Sequence, residues 1–327
     1  NWLREWVNPP VDSETLASQL TMAGLEVGSL NVAAPALPGV VVAEVVAVES
    51  HPDADKLNLC QVNDGKDTFS VVCGASNVRA GLKVALARIG AELPGIKIKK
   101  AKLRGVESEG MICSATELQL AESSEGILEL PGDAPIGMSI VEYLSLDDNI
   151  IDIDLTPNRG DCLSIAGVAR EVSAINKIAL TPNNVTPVDS SIDDSFKVEL
   201  LAPQQCPRYV GRIIKGIDPQ AQTPMWMQEK LRRCGLLPIS PVVDVTNYVM
   251  MELGQPMHGF DFDKLSGGIR VRLAEPAEKV ALLDQSEVEC RDDTLLIADH
   301  SGGVALAGIM GGIDSSVQPD TRNIFLE

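Results

Sequence analysis

The sequence predicts a multidomain α+β protein in which a small β-barrel interrupts an α/β domain and a second mixed α/β domain follows. Three observations carry this reading. Short apolar strands separated by tight-turn residues fill 39–143, a texture of barrels and sandwiches rather than of βαβ units. Helical periodicity flanks that stretch on both sides. A polar linker at 189–195 then precedes a region where helix and strand patterns mix. The boundaries are 1–38 with 144–190 for the interrupted domain, 39–143 for the barrel and 197–327 for the last domain.

Each element has its own warrant. Asp12 or Ser13 caps a first helix, Leu16, Leu20 and Ala23 give its apolar stripe, and Gly24 stops it. After a Pro/Ala-rich linker at 33–38, Val40-Val41-Val42-Ala43-Glu44-Val45-Val46-Ala47-Val48 reads as a strand, followed by a polar loop at 50–55. Strands are expected at 57–62, 69–73 and 84–89, with Asp64-Gly65 as a hairpin signal between the first two. Ile151-Asp152-Ile153-Asp154-Leu155 alternates as a strand, and a helix follows with Ile165, Val168, Ala169, Val172 and Ile175 on one face. Beyond the linker, Thr223-Pro224 starts a helix in cap-then-Pro order and Gly235 ends it. Further strands are expected at 268–273, 280–283, 294–298 and 304–309. Asn323-Ile324-Phe325-Leu326-Glu327 reads as a strand cut short, so the natural protein is expected to continue.

Composition sets limits. At 327 residues two or three domains are expected. The 45% apolar content supports packed cores, but with aromatics at 3% these must be built mainly from Val, Leu, Ile and Ala. No run approaches the ~18 apolar residues of a membrane span. The N-terminus lacks a signal-peptide pattern and an initiator Met, so a few residues are expected to be missing there. Seven scattered cysteines without a C-x-x-C pair suit reduced thiols and a cytoplasmic protein. A net charge of −19 argues against a surface that grips nucleic acid everywhere. Any RNA contact must be local or made by another subunit, or the acidity serves solubility alone.

One basic run stands out, Lys97-Ile98-Lys99-Lys100-Ala101-Lys102-Leu103-Arg104. As an extended strand it sends Lys97 and Lys99 one way and Lys100, Lys102 and Arg104 the other. Two such rows would track phosphates at a barrel rim; equally, they would be lysines protecting a solvated edge strand. His51 with Asp53 and Asp55 has the look of a metal loop but no second His, which favours a structural turn with Asp bonding its own backbone.

His51-Pro52-Asp53-Ala54-Asp55-Lys56-Leu57, Val72-Cys73-Gly74-Ala75-Ser76-Asn77, Gly81-Leu82-Lys83-Val84-Ala85 and Ser108-Glu109-Gly110-Met111 form an ordered series. Together they resemble the EMAP-like tRNA-binding module, an OB-fold barrel. Trp2-Leu3-Arg4-Glu5-Trp6, Thr156-Pro157-Asn158-Arg159, Cys206-Pro207-Arg208-Tyr209, Val243-Asp244-Val245-Thr246-Asn247-Tyr248-Val249 and Gly254-Gln255-Pro256-Met257-His258 also occur in order. With them the chain resembles, over essentially its full length, the N-terminal part of the bacterial phenylalanyl-tRNA synthetase beta subunits.

That resemblance implies an α2β2 heterotetramer with an alpha subunit that charges tRNA(Phe) using ATP and Mg2+, at sites outside these residues; no metal is expected here. It implies that 197–327 is an editing domain that hydrolyses Tyr-tRNA(Phe), with Thr246, Asn247, Pro256, His258, Gly311 and Glu327 at its site, and that Lys97, Lys99, Lys100, Lys102 and Arg104 meet tRNA. Some members carry a basic residue near the position of Leu237, so a contact to the tRNA end is in doubt there. The residues suit the chemistry. Glu327 ends an apolar strand on the same face as Phe325, where an acceptor carboxylate reads a phenol. His258 lies in a turn-like segment beside an Asn247-bearing strand and would position water or ribose. Gly308-Ile309-Met310-Gly311-Gly312 offers backbone N–H groups for an oxyanion. No spacing supports a Ser-His-Asp or Cys-His arrangement, so a positioned water is expected to be the nucleophile. A noncatalytic tRNA-binding scaffold and a free-standing editing hydrolase remain as rival readings.

Overall fold

The computed structural model describes residues 1–327. A short helix, α1 (Trp2–Trp6), precedes α2 (Ser13–Met22). Of the two cap candidates Asp12 takes the role, its carboxylate accepting the Thr15 N–H at 2.8 Å and so satisfying an orphan donor of the first turn. Leu16 and Leu20 are buried, and the chain leaves the helix at Gly24 with φ +88°. The chain divides into two compact units, Val11–Asp154 with Asn1, and Trp2–Pro10 with Leu155–Glu327.

In the first unit β1 (Glu26–Val32) pairs antiparallel with β12 (Asn149–Asp154), from Glu26 opposite Asp154 to Val32 opposite Asn149. This ladder joins the two ends of the stretch that holds the barrel. Its strands are β2 (Val40–Ser50), β3 (Asn58–Asn63), β4 (Thr68–Cys73), β5 (Lys83–Arg88), β10 (Gly110–Ile112) and β11 (Glu129–Leu130). Between β5 and β10 lie two small hairpins, β6 (Glu92–Leu93) with β7 (Ile96–Lys97), and β8 (Ala101–Leu103) with β9 (Val106–Ser108). A one-turn helix, α3 (Ile140–Tyr143), follows β11. The strand order is β10-β5-β2-β3-β4, with β11 also on β5.

The sheet nearly closes, because Glu109 N–H donates to Ser70 O at 2.8 Å and Val72 N–H to Ser108 Oγ at 3.1 Å. Val45, Cys60, Val62, Val71, Val84 and Leu86 are fully buried inside it. Each such Val or Leu contributes about 1.5–3 kcal/mol, so this interior holds together with no aromatic ring in its buried set. Asp64-Gly65 does make the β3–β4 turn. Gly65 has φ +88°, and the Asp64 carboxylate accepts the Lys66 and Asp67 N–H groups at 2.9 and 2.8 Å. Burial works against the Asp64 charge, but those N–H groups and Arg88 prevail and hold its carboxyl below the usual range.

In the second unit Ser164 caps α4 (Ile165–Asn176), accepting the Gly167 N–H at 3.0 Å, and Val168, Ala169 and Val172 are buried. No regular element lies between Asn176 and β13 (Val198–Leu200), in agreement with a linker. Then come β14 (Arg212–Lys215), α5 (Met225–Arg233), α6 (Pro241–Leu253), β15 (Gly259–Asp261), β16 (Ile269–Leu273), β17 (Lys279–Ala281) and β18 (Glu287–Glu289). The chain ends with β19 (Leu295–Ala298), β20 (Gly303–Leu306), β21 (Met310–Gly311) and β22 (Asn323–Leu326). One sheet has the order β13-β16-β19-β20-β21, a second β14-β22-β15, and β17 pairs β18. Phe260 and Phe325 of the second sheet share a buried cluster with Ile269, Val271, Ile297 and Ala305 of the first. Lys230 ties α1 to α5 and α6, its Nζ 5.0, 5.6 and 5.7 Å from the rings of Trp2, Trp226 and Tyr248 and 2.7 Å from Glu5.

Three expectations are corrected. The segment holding Thr246 and Asn247 is helical, in α6, not a strand. Its run of β-branched residues suggests a strand, but Pro241 in the first turn and Gly254 at φ +77° after the last set a helix. Thr223 is not a cap: α5 starts at Met225 with Pro224 in the cap position, and the Thr223 hydroxyl donates to buried Asp244 of α6. The strand expected at 304–309 stops at Leu306, because Gly308 turns at φ +69°.

Candidate functional site

β15 and β22 bring two of the expected residues together. Past the pair Gly259–Leu326, His258 N–H donates to Glu327 O at 3.2 Å and Glu327 N–H to His258 O at 2.9 Å. Residues that exchange both bonds are directly opposite, so the two side chains leave the same face of the sheet. Phe260 and Phe325, two residues along each strand and themselves paired, floor that face. Gly311 supplies a third side. A Cβ there would lie 2.3 Å from His258 Cε1 and 2.4 Å from Nε2, so only glycine lets β21 approach the ring.

The His258 ring stands edge-on to Phe260, centroids 4.6 Å apart at 82°. Its buried Nε2 has no hydrogen-bond partner within the protein. Burial pushes its pKa below the ordinary histidine value, so the imidazole is neutral at pH 7 and can accept a proton or a hydrogen bond. Burial pushes the Glu327 carboxyl upward, opposed by one hydrogen bond from Tyr209 Oη to Oε2. Tyr209 is a residue that the sequence did not single out for the site. Its phenol is pushed up by burial and then by the Glu327 charge, and its ring stacks on Phe325 at 6.5 Å and 11°.

The other expected residues stand apart from this pair. Gly259 points to the opposite face, where a Cβ would meet Val242 of α6 at 2.9 Å. Thr246 is buried on that helix, its hydroxyl donating to Val243 O at 2.8 Å, and Asn247 is half-buried beside it. Pro256 is exposed in the connection from α6 to β15. In the glycine segment, Ile309 N–H already donates to Leu306 O and Gly312 N–H to Val304 O, at 3.0 and 2.8 Å. Those two N–H groups are therefore committed to the fold rather than to an oxyanion.

On the barrel, the basic run is not one strand with two rows. It is the second strand of one hairpin and the first of another, with 98–100 between them. Arg104 and Gly105, at φ +46° and +91°, form the two-residue turn between β8 and β9. Lys97 pairs with Glu92 at 2.7 Å, and Lys100 with Glu107 and Glu109 at 2.8 and 3.2 Å. Lys102 sits opposite Glu107, while Lys99 and Arg104 are exposed. His51 makes its own turn, in place of an Asp: Nδ1 accepts the Asp53 N–H at 3.1 Å and Nε2 reaches Leu103 O at 3.2 Å. That pattern needs the neutral ring protonated on Nε2 and moors the β8–β9 hairpin.

Two further features exclude chemistry. A barrel cleft of about 340 Å³ is lined by Cys73, Met111, Ile127, Glu117 and Glu125 among others, with no basic side chain, which is the wrong charge for phosphate. Asp161, Cys162 and Glu171 cluster within 4.8 Å, but the Arg159 guanidinium pairs with both carboxylates at 3.1 and 3.0 Å. A cationic side chain of the protein already fills that cluster, which does not suit Mg2+.

Residues 40–139 match the family model described as "Putative tRNA binding domain", and residues 205–327 match the B3/4 domain. Over its whole length the chain is 59% identical to the phenylalanine–tRNA ligase beta subunit of Hahella chejuensis and 58% identical to that of Pseudomonas syringae pv. syringae. It is 57% identical to that of Pectobacterium atrosepticum. Each alignment takes in 100% of this chain and 41% of the relative. The chain therefore spans about two fifths of the length of the relatives it matches, and throughout that span it is similar to the phenylalanine–tRNA ligase beta subunits.

Proposed function

We propose that this chain is the tRNA-binding and editing portion of a phenylalanine–tRNA ligase beta subunit, and that it hydrolyses tyrosine wrongly attached to tRNA(Phe). The observation that carries this is a carboxylate, Glu327, in an apolar setting, already accepting a phenol from Tyr209 and set opposite a neutral histidine with an unpartnered Nε2. Tyr differs from Phe by one hydroxyl. A site that must pair a buried acceptor rejects the analogue lacking the donor by about 10⁴–10⁵. Glu327 reads the substrate phenol, and His258 orients water or the terminal ribose at the ester. Gly311 makes room for the His258 ring, while Thr246 and Asn247 of α6 and Pro256 in the connection after it belong to the wider site, apart from this pair. Water is the nucleophile.

In this reading 39–143 is an EMAP-like OB-fold that adds an auxiliary tRNA contact, 1–38 with 144–190 is the domain that it interrupts, and 197–327 is the editing domain. The partner is the alpha subunit, in a cytoplasmic α2β2 assembly that uses ATP and Mg2+ to charge tRNA(Phe); no step at the editing site runs through them. The test is deacylation of Tyr-tRNA(Phe) by the complete enzyme with Phe-tRNA(Phe) alongside. Selective loss of the tyrosyl ester supports the reading, and equal rates on both esters contradict it.

A further inference from the structure

Glu327 does not stand alone. Gly211 lies so close to Phe325 that a Cβ would be 2.1 Å from its Cζ. Phe325 is thereby seated on the chain two residues after Tyr209, and the Tyr209 ring stacks on Phe325 at 11°. The Tyr209 hydroxyl then reaches Glu327, two residues after Phe325. Gly211, Phe325 and Tyr209 thus form a support that ends in one hydrogen bond to one carboxylate oxygen. Nothing in catalysis by His258 requires that bond.

We propose that Tyr209 is a positioning residue for the phenol-reading carboxylate: its hydroxyl holds Oε2 and leaves Oε1 to the substrate ring. This rests on the reading that Glu327 recognises the phenol. A carboxylate reads a phenol best while it is charged, since the phenol then donates into a charge-assisted bond, whereas a protonated carboxyl gives up one accepting oxygen and offers only the weaker neutral bond. Burial favours the protonated form and the Tyr209 bond opposes it. The titratable groups facing Glu327 are Tyr209, from the segment before β14, and His258, from β15; Phe260 and Phe325 between them are apolar. Arg212 of β14 pairs with Leu326, and its side chain bonds Val188 O at 2.7 Å, away from the carboxylate. Tyr209 is therefore the one neighbour that donates to it.

The experiment compares Tyr209→Phe, Glu327→Gln and the double variant in the complete enzyme, following Tyr-tRNA(Phe) hydrolysis from pH 5 to 8. Tyr209→Phe keeps the stacked ring and removes only the donor. Losing a hydrogen bond to a charged group is expected to lower kcat/KM roughly ten- to a hundredfold, with the loss growing as pH falls because more Glu327 is protonated. In the Glu327→Gln background, which has no charge to keep, Tyr209→Phe should add little. A pH-independent loss, or full additivity in the double variant, overturns the proposal. Loss in Glu327→Gln with none in Tyr209→Phe overturns it alone. No loss in either variant overturns the phenol reading as well.

Discussion

His258 and Glu327 exchange both backbone hydrogen bonds across β15 and the end of β22, at 3.2 and 2.9 Å. The ladder fixes their side chains side by side, one neutral by burial and one carrying the phenol-accepting oxygen. The placement comes from register, not from loop conformation, so small shifts of either strand would break it.

The first prediction concerns pH. Both groups act deprotonated. Glu327 is raised above the ordinary carboxyl value of about 4.3 and His258 lowered below the ordinary imidazole value of about 6.5. As pH falls, tyrosyl-ester hydrolysis should hold steady to about pH 6.5 and be lost between there and about 4.3. Single-turnover rates across this window check it; an acid limb centred below about pH 4.3 would contradict a raised Glu327.

Gly311→Ala places a methyl into the His258 ring. Overpacking of this kind typically costs about 1–3 kcal/mol, and the ring must leave its place, so hydrolysis should fall. Adding His258→Ala should restore thermal stability while leaving hydrolysis lost. Thermal unfolding of the single and double variants measures the first effect, and if the double variant is no more stable than Gly311→Ala, the clash is not with His258.

On the barrel the cations are not equivalent. Neutralising Lys99, Lys102 and Arg104 should lower tRNA affinity and flatten its salt slope, by roughly 0.7–0.9 for each phosphate left without its cation. Neutralising Lys97 and Lys100, already paired with Glu92, Glu107 and Glu109, should do less. Binding titrations at several salt concentrations separate the two sets. An unchanged slope for the first set would make the hairpins a solvated edge.

Much of the fold is legible because its signals are local. Short apolar runs mark β2 to β5, alternation marks β12, Asp64-Gly65 marks the β3–β4 turn, and an apolar run marks β22. The site was half legible. Glu327 and Gly311 entered through the resemblance, since a carboxylate ending an apolar strand and a glycine segment do not by themselves mark a site, and the structure brings both to His258. Tyr209 was not singled out, because its bond to Glu327 spans 118 residues and leaves no periodic trace. The helix α6 was hidden by its valines and threonine, whose β preference yields to packing and to Pro241 and Gly254 at its ends. The basic run misled for a related reason: alternation predicts faces only while the strand continues, and here two hairpins interrupt it.

The most direct measurement is the lifetime of Tyr-tRNA(Phe) and Phe-tRNA(Phe) in the presence of the complete enzyme carrying Glu327→Ala. If Glu327 reads the phenol, Tyr-tRNA(Phe) should persist, its hydrolysis falling at least about a hundredfold towards the Phe-tRNA(Phe) rate, while Phe charging continues. Unchanged hydrolysis of Tyr-tRNA(Phe) would show that the carboxylate is not the group that recognises tyrosine.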